Sequence, residues 1–407
     1  MNIDILVTTI EKRRKRKRES INFQEIGTTI RKRREEMNAT QEYICNGICS
    51  ISYLSKIENN KIIPNKESLA FIMEKMDLSY EGITVMYDQD RIISKVIEYY
   101  FSKKVDDYLE LIRDINQFKN TLLYQVIILG YNLLIENYND CEKIISDNIS
   151  SATNMANLVF ELFYLFTATY LLHKKEYNQA LSLLDLVFNL AISEKKLFFL
   201  ILECKFNYYA ETLKTIKASM YYNDLKNYYV EANNLQRLAD IQLKMMILSF
   251  ETGEYQEVIE MGQRCDANYF KDMLKIYFYI GCSYFYINDY INSLKYLNNV
   301  SNSSIYYPLT LIFKCLIAKE MCDDYTLIFN ELTNLEVKDN IFKAFVELFI
   351  KSEKNDITRY FLIEKTLSVV EKEGTPFEIA TIRSEISKHL ASNSRYKEAM
   401  CYAQLKK

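Results

Sequence analysis

Residues 40–64 read TQEYICNGICSISYLSKIENNKIIP and predict two short helices joined by a tight turn. Thr40 precedes the first helix, where its hydroxyl can accept a hydrogen bond from a free amide of the first turn. Gly47 falls where the turn needs a residue that tolerates positive φ. Ser50 can cap the second helix in the same way. The stretch therefore predicts a helix-turn-helix unit.

The second of these helices carries short side chains near its start. Leu54 and Ile57 are three residues apart and face the predicted core, so the side chains before them project elsewhere. Short and hydroxylic side chains at a helix N-terminus fit against base edges in the major groove of DNA. The candidate DNA-contacting residues of the unit are Thr40, Gln41, Ser50, Ile51, Ser52, Tyr53, Ser55 and Lys56.

The order Thr-Gln-Glu, Gly-Ile-Cys-Ser, Ser-Tyr-Leu-Ser-Lys-Ile-Glu-Asn and then Pro belongs to a longer pattern, from Ile26 to Ile72. This pattern resembles the helix-turn-helix domain of the lambda-repressor-like (XRE) group and, more narrowly, the peptide-responsive Rgg/PlcR regulators. The resemblance implies that Gln41 and residues 50–53 contact DNA. Ile51 departs from the pattern, because many relatives carry a polar or basic residue there, and we expect it to meet a thymine methyl group.

Composition favours helices over sheets. Of the 407 residues 49% are apolar, but only 8 are Gly and 3 are Pro, which leaves few residues for β-turns. The length suggests two or more domains unless part of the chain is a repeat array. The longest apolar run, Leu158 to Leu172, includes Glu161, so we expect a core helix rather than a membrane span. In a signal peptide a basic segment precedes the apolar one, whereas the N-terminus of this sequence has the opposite order. We therefore expect a cytoplasmic protein.

Positive charge concentrates near the N-terminus. Residues 1–66 hold 14 Lys and Arg against 8 Asp and Glu, whereas the whole chain has a net charge of −3. An uninterrupted run of cations, residues 12–18, precedes the first predicted helix. Within it Arg13, Arg14 and Arg16 are candidate contacts to DNA phosphates or to a minor groove. A solvated tail without DNA contacts explains the run equally well.

Cysteine and histidine show no pattern of a metal site. The nine cysteines are scattered without a CxxC pair, and the only histidines are His173 and His389. We therefore expect free thiols, no metal and no cofactor. The sequence also has no Gly-rich phosphate loop, no nucleophile elbow and no His-based acid–base set. These observations favour a binding protein over an enzyme.

Residues 86–407 show a weak internal repeat. An aromatic or aliphatic residue, followed three positions later by a small or apolar one, recurs after turn-forming residues at intervals of about 32–39 residues. The pattern resembles tetratricopeptide repeats, whose helical hairpins stack into an α-solenoid with a concave inner wall. The first residues of the successive pairs are Tyr138, Tyr177, Ile216, Tyr255, Tyr290, Tyr325, Ile357 and Tyr396.

If Ile216 and Tyr290 are equivalent positions of two repeats, the inner-wall residues of each repeat can be found by counting the same number of positions from each of them. Asn207 then occupies a place that usually holds a small packing residue, and its amide can both donate to and accept from a peptide backbone. An Asn bonded to a neighbouring helix explains the position equally well, and aromatic residues on the wall can equally be core. The candidate peptide contacts are Asn132, Asn207, Tyr208, Glu211, Phe250, Lys275, Phe278 and Tyr286.

The sequence thus predicts an all-α chain with a basic arm over residues 1–22, a lambda-repressor-like helix-turn-helix domain over 23–85 and a tetratricopeptide-like α-solenoid over 86–407. The resemblance implies a homodimer that binds palindromic double-stranded DNA under the control of a short signalling peptide. Two alternatives remain open. One is a Rap-like scaffold that sequesters a protein partner, and the other is a constitutive repressor of a mobile element or phage.

Overall fold

The computed structural model describes residues 26–59, 61–62, 64–77, 89–116, 119, 121–155, 157–188, 194–270, 272–353, 366–372, 374, 376–392 and 394–403. Every regular element in these ranges is a helix, which confirms the all-α prediction. Arg13, Arg14, Arg16 and the repeat position Ile357 lie outside the described residues.

Four helices form the N-terminal domain: α1 (Ile26–Glu36), α2 (Gln41–Cys45), α3 (Ile51–Glu58) and α4 (Lys66–Glu74). Leu54 and Ile57 are buried as predicted, and they share one core with Ile30 of α1 and Ile72 of α4. The face of α3 that carries Leu54 and Ile57 is therefore committed to packing. Its opposite face is left for other contacts.

The chain divides into two compact units, Met1–Tyr208 and Tyr209–Lys407. After the N-terminal domain, the first unit continues with α5 (Gln89–Phe101), α6 (Val105–Asp114), α7 (Leu122–Leu134), α8 (Cys141–Asn148), α9 (Asn157–His173) and α10 (Tyr177–Phe188). Helix α11 (Lys195–Glu211) runs across the boundary. The second unit holds α12 (Thr215–Glu231), α13 (Leu235–Glu251), α14 (Tyr255–Gln263), α15 (Met273–Tyr286), α16 (Tyr290–Leu297), α17 (Tyr307–Glu320), α18 (Thr326–Asn334), α19 (Asn340–Glu353), α20 (Pro376–Ser392) and α21 (Tyr396–Ala403).

Helical hairpins recur along both units, each with a first helix, a short turn and a second helix. The first helices are α7, α9, α11, α13, α15, α17 and α20, and the second helices are α8, α10, α12, α14, α16, α18 and α21. The second helices α10, α14, α16 and α21 begin at the predicted repeat positions Tyr177, Tyr255, Tyr290 and Tyr396. The predicted repeat of hairpins is confirmed at these positions.

Each of these first helices ends in the same way. One residue adopts a positive φ, and the next residue donates its N–H to the carbonyl five residues earlier, as in a Schellman motif. After α15, Asn288 has φ 62°, and the N–H of Asp289 donates to the carbonyl of Tyr284 at 2.9 Å. This recurring turn fixes which residues of different hairpins are equivalent.

The turn after α11 corrects the offset that the sequence suggested. Leu213 is the positive-φ residue there, with φ 54°, and so corresponds to Asn288. Thr215, and not Ile216, is therefore equivalent to Tyr290. A leucine in the left-handed region obscures the turn in the sequence, because that conformation normally favours Gly or Asn.

The one-residue shift changes the place of Asn207. In the corrected register Phe206, which is fully buried, corresponds to Gly281 and fills the packing position. Asn207 corresponds to Cys282, one residue further along the helix. The prediction that Asn207 replaces a small packing residue was therefore wrong.

Helices α15 and α16 pack closely at Gly281. The carbonyl of Gly281 accepts a hydrogen bond from Ser293 Oγ at 2.7 Å. A Cβ atom at position 281 would lie 2.6 Å from Leu297 Cγ and 3.3 Å from the backbone nitrogen of Leu297. The absence of a side chain at 281 thus permits the approach of the two helices.

We expect Gly281→Ala to lower the free energy of unfolding by about 1–2 kcal/mol, because overpacking against Leu297 outweighs the better helix propensity of Ala. Urea unfolding followed by far-UV circular dichroism measures the change. Adding Leu297→Val makes room for the methyl group, so the double variant should lose less stability than the two single losses combined. Unchanged stability of Gly281→Ala would contradict the tight contact.

The apolar run from Leu158 to Leu172 lies within α9, and most of its side chains are buried. This is the core helix that the sequence predicted. Among the residues that the structure describes, no helix has the length and hydrophobicity needed to cross a membrane. The same residues contain no group of three or more His, Cys, Asp or Glu side chains that could hold a metal ion.

Candidate nucleic-acid interface and ligand-binding face

The two helices of the predicted DNA-reading unit begin with hydroxyl caps. Thr40 Oγ1 accepts the N–H of Tyr43 at 3.1 Å, and Ser50 Oγ accepts the N–H of Tyr53 at 3.1 Å. Gly47 lies between the helices with φ 79°. The caps and the turn are those predicted from the sequence. Each hydroxyl is already engaged with the backbone, so Thr40 and Ser50 also have a structural role.

The outer face of α3 is open to solvent. Ile51 is 48% exposed, and Ser52 and Lys56 are also exposed. Ser55 is half-buried, and the hydroxyl of half-buried Tyr53 accepts the backbone N–H of Asn65 at 3.4 Å. The structure thus brings Ile51, Ser52 and Lys56 together on one accessible face and ties Tyr53 to the segment before α4.

A buried carboxylate holds Gln41 in place. Glu58, whose side chain is 1% exposed, forms a two-pronged ion pair with Arg34 through Nε at 2.6 Å and Nη2 at 2.9 Å. Arg34 Nη1 also donates to the carbonyl of Ala39 at 3.0 Å, and Gln41 Nε2 donates to Glu58 Oε2 at 2.7 Å. The hydrogen bond from Arg34 to Glu58 raises the pKa of Arg34. The arrangement orients Gln41, because one of its amide protons is fixed by Glu58.

This Arg34–Glu58–Gln41 network was not predicted from the sequence. The available signal was the spacing of Arg34, which lies four residues after buried Ile30 and so shares its side of α1. Glu58 likewise follows buried Ile57 directly. A charged residue next to core residues predicts a buried ion pair only if its partner of opposite charge can be identified. Arg34 and Glu58 lie 24 residues apart, so the sequence does not show that they pair.

On each first helix, four positions spaced four, three and four residues apart form a stripe along one face of that helix. In α15 these positions are Lys275, Tyr279, Cys282 and Tyr286. Spacings of this kind place the four side chains on the same side of the helix. We call these positions, together with their equivalents on other first helices, the first-helix stripe. On α13 it holds Asp240, Lys244, Ile247 and Glu251, and on α17 it holds Leu309, Phe313, Leu316 and Glu320.

Asn207 lies on the first-helix stripe of α11. Its side chain is half-buried, and in the described part of the chain its carboxamide makes no hydrogen bond. Tyr208, the next residue, is buried and forms an edge contact with Tyr177 at a centroid distance of 6.3 Å. Asn207 therefore combines partial burial with unused hydrogen-bonding groups, whereas Tyr208 packs against the second helix of the preceding hairpin.

Asn132 lies on a different face from Asn207. Its carbonyl accepts the N–H of Asn137 at 2.8 Å in the turn motif, which makes Asn132 equivalent to Tyr284. That position is two residues beyond the one equivalent to Asn207, and two residues on a helix correspond to about 200° of rotation. Asn132 is buried. The structure thus separates the two asparagines that the sequence grouped together.

In the second unit, an ion pair and an aromatic group lie on or beside the stripe. Glu211 forms an ion pair with Lys244 of α13. Phe250 is buried and lies 5.1 Å from the ring of Tyr279. Tyr286 is 40% exposed. Of these residues, Glu211 and Tyr286 are partly accessible to solvent, whereas Phe250 packs against the Tyr279 ring in the core.

The remaining two candidates, Lys275 and Phe278, lie one turn apart in α15. Phe278 is buried and stacks on Tyr306 with the ring centroids 4.9 Å apart. Lys275 Nζ lies 5.7 Å from the centroid of the same Tyr306 ring. Burial lowers the pKa of Lys275. Phe278 thus packs against Tyr306 from the core, while the Lys275 ammonium group lies beside the same half-buried ring.

Parts of this sequence are similar to known proteins. Residues 30–83 match the helix-turn-helix family HTH_3. The transcriptional activator NprA of Geobacillus stearothermophilus is 24% identical over 150 residues, which are 34% of this chain and 36% of the relative. The alignment therefore spans about a third of the relative's length.

Solved structures share the fold over most of the chain. The apo form of the quorum sensor NprR from B. thuringiensis aligns with a TM-score of 0.61 and 13% identity, over 79% of this chain and 98% of NprR. NprR in complex with its cognate peptide NprX aligns with a TM-score of 0.56 and 13% identity, over 78% of this chain and 96% of the NprR chain. A Rap protein complexed with competence and sporulation factor aligns with a TM-score of 0.59 and 11% identity, over 77% of this chain and 95% of the Rap chain. The predicted resemblance is confirmed, and at these identities it establishes the fold.

Proposed function

We propose that this chain, which joins a helix-turn-helix domain to the repeat fold of NprR, is a transcription regulator whose operator binding is controlled by a short peptide. The observation that carries the proposal is this combination. Residues 30–83 match a helix-turn-helix family, and the fold is that of a quorum sensor solved with its cognate peptide. The chain acts in this proposal as a binding protein rather than an enzyme.

The proposed DNA contacts come from the accessible face of α3 and from Gln41. Ile51, Ser52 and Lys56 are exposed there, and Glu58 orients Gln41. Side chains of this kind read base edges and phosphates when a recognition helix enters the major groove. The residues 12–18 would add phosphate contacts, which are sensitive to salt and carry little sequence information.

The proposed peptide contacts lie on the first-helix stripe. Asn207 supports this because its carboxamide has both a donor and an acceptor to offer to a peptide backbone. Peptide binding would act by favouring one of two arrangements of the protein that differ in affinity for the operator. We propose a cytoplasmic homodimer on a palindromic operator, because two-fold protein symmetry matches two half-sites. The proposed domain bounds are 1–22, 23–85 and 86–407.

Full-length protein tests the proposal directly. Double-stranded DNA is first selected from a random pool, and fluorescence anisotropy then measures its affinity with and without synthetic C-terminal fragments of small peptides encoded beside the gene. We expect one fragment to change the DNA affinity by about 5- to 150-fold, the usual range of coupling between two sites. DNA binding that no fragment alters would favour a constitutive repressor. A co-purifying protein that a fragment displaces, without DNA binding, would favour a Rap-like scaffold.

Asn207→Ala should weaken the binding of the active fragment by about 2- to 13-fold, because one net hydrogen bond of about 0.5–1.5 kcal/mol is lost. Calorimetric titration measures the change. Asn223→Ala is the matched control, since Asn223 is exposed on α12, the second helix of the same hairpin. An equal loss in both variants, or no loss in Asn207→Ala, would remove Asn207 from the site.

A further inference from the structure

Lys275 is half-buried, and in the described residues its ammonium group has no direct contact with a carboxylate. Its side chain makes no hydrogen bond and no ion pair within these residues. The backbone N–H of Lys275 donates to Asp272 Oδ1 at 3.0 Å in the helix cap. Partly buried cations are normally paired, because loss of hydration is costly. The ammonium group of Lys275 therefore remains available for a direct contact with an anion.

One aromatic ring lies beside this ammonium group, and two further rings pack against that ring. Lys275 Nζ lies 5.7 Å from the centroid of the Tyr306 ring. Phe278 stacks on the same ring at 4.9 Å, and the ring of Tyr279 lies 6.0 Å from it. The cation thus lies against the half-buried ring of Tyr306, and partial burial lowers the local dielectric and strengthens the attraction of the cation for an anion.

The neighbouring charges do not satisfy Lys275. Burial lowers its pKa most strongly, and the nearby cation Lys244 lowers it further. Asp272 and Glu251 act in the opposite direction, but the pKa remains below its usual value. The loss of hydration and the repulsion from Lys244 together therefore outweigh the attraction of these two carboxylates. A further anion at Lys275 would offset this cost.

We propose that Lys275 and Tyr306 form a binding site for a carboxylate of the ligand, with the adjoining apolar group of the ligand against the aromatic rings. This inference rests on the proposed function only in taking a peptide as the ligand that brings the carboxylate. The carboxylate is either the C-terminus or an acidic side chain. Peptides with a carboxylate next to an aromatic or large aliphatic group fit the site best, because the charged and apolar surfaces adjoin.

N-acetylphenylalanine is a suitable probe, because its carboxylate adjoins a phenyl ring, and its neutral amide is the matched control. The full-length protein is reductively methylated with ¹³C, which leaves the lysines cationic. The Lys275 signal is assigned by its loss in Lys275→Arg. We expect N-acetylphenylalanine to shift this signal saturably at millimolar concentration and the amide to bind at least tenfold more weakly. The bound carboxylate should also raise the pKa of Lys275.

Lys314 provides a matched control within the protein. It is half-buried in α17, and burial lowers its pKa as well. The Lys314 signal should stay in place during the titration, and Lys314→Met should retain the binding that Lys275→Met loses. Equal binding of acid and amide, retained binding in Lys275→Met, or no shift of the Lys275 signal would each overturn the proposal. None of these outcomes depends on DNA, so a failure here is distinguishable from a failure of the proposed regulatory function.

Discussion

Replacing Arg34 with Met should destabilise the helix-turn-helix domain by about 3–5 kcal/mol, because it leaves a buried carboxylate without its cation. The Glu58 side chain is 1% exposed, and Arg34 supplies two of its hydrogen bonds. Only the neutral amide of Gln41 would remain beside the charge. A loss of this size is comparable to the whole stability of many small domains. We therefore expect α2 and α3 to open frequently in the variant.

Hydrogen exchange followed by mass spectrometry measures this effect in the full-length chain. A local loss of about 3 kcal/mol corresponds to an increase of roughly a hundredfold in the exchange rate of amides that open with the domain. The increase should be confined to α1–α4. Exchange in the hairpin of α15 and α16 should stay unchanged, which separates a local effect from general unfolding.

Two variants control for trivial explanations. Arg31 forms an ion pair with Glu35 at 2.9 Å on the exposed side of α1. Arg31→Met should therefore cost less than about 1 kcal/mol, as solvent-exposed pairs do. Arg34→Met combined with Glu58→Leu removes both charges and should recover much of the lost stability. Slow exchange in Arg34→Met itself would show that Glu58 finds another partner or reaches solvent.

The sequence predicted the hairpins well because their starting points depend on local chemistry. Tyr177, Tyr255 and Tyr290 each follow a turn and each begins a second helix. The caps at Thr40 and Ser50 were predictable for the same reason, since one hydroxyl and one amide three residues later decide them. Features that depend on a few neighbouring residues can be read without knowledge of the rest of the chain.

Features that depend on register or on distant partners could not be read in this way. Leu213 adopts a left-handed conformation that is unusual for leucine. The sequence therefore did not reveal this turn, and the predicted inner-wall positions of α11 were wrong by one residue. The pairing of Arg34 with Glu58 joins two charges that each resemble a solvated side chain in the sequence. Asn132 was predicted to contact the peptide together with Asn207, although the turn geometry places the two residues on different helix faces.

Ser52→Glu should lower the affinity for the selected operator DNA by about 30- to 1000-fold, because a carboxylate on the accessible face of α3 would meet the phosphates at a cost of several kcal/mol. The fold should remain intact. Ser52 is exposed in the first turn of α3, where a negative charge interacts favourably with the helix dipole. Loss of DNA binding with unchanged thermal stability is therefore the expected combination. Fluorescence anisotropy and thermal unfolding measure the two effects.

The matched control is Ser182→Glu, which introduces the same charge at an exposed position of α10, a second helix of the repeat region. It should leave the operator affinity within a factor of about two, since screening reduces the effect of a charge beyond about 10 Å. Ser52→Ala removes only the hydroxyl and should cost much less than Ser52→Glu. Operator affinity that survives Ser52→Glu would mean that α3 does not face the DNA. The opposite result would make Ile51 and Lys56, which share this face, the next positions at which to seek base and phosphate contacts.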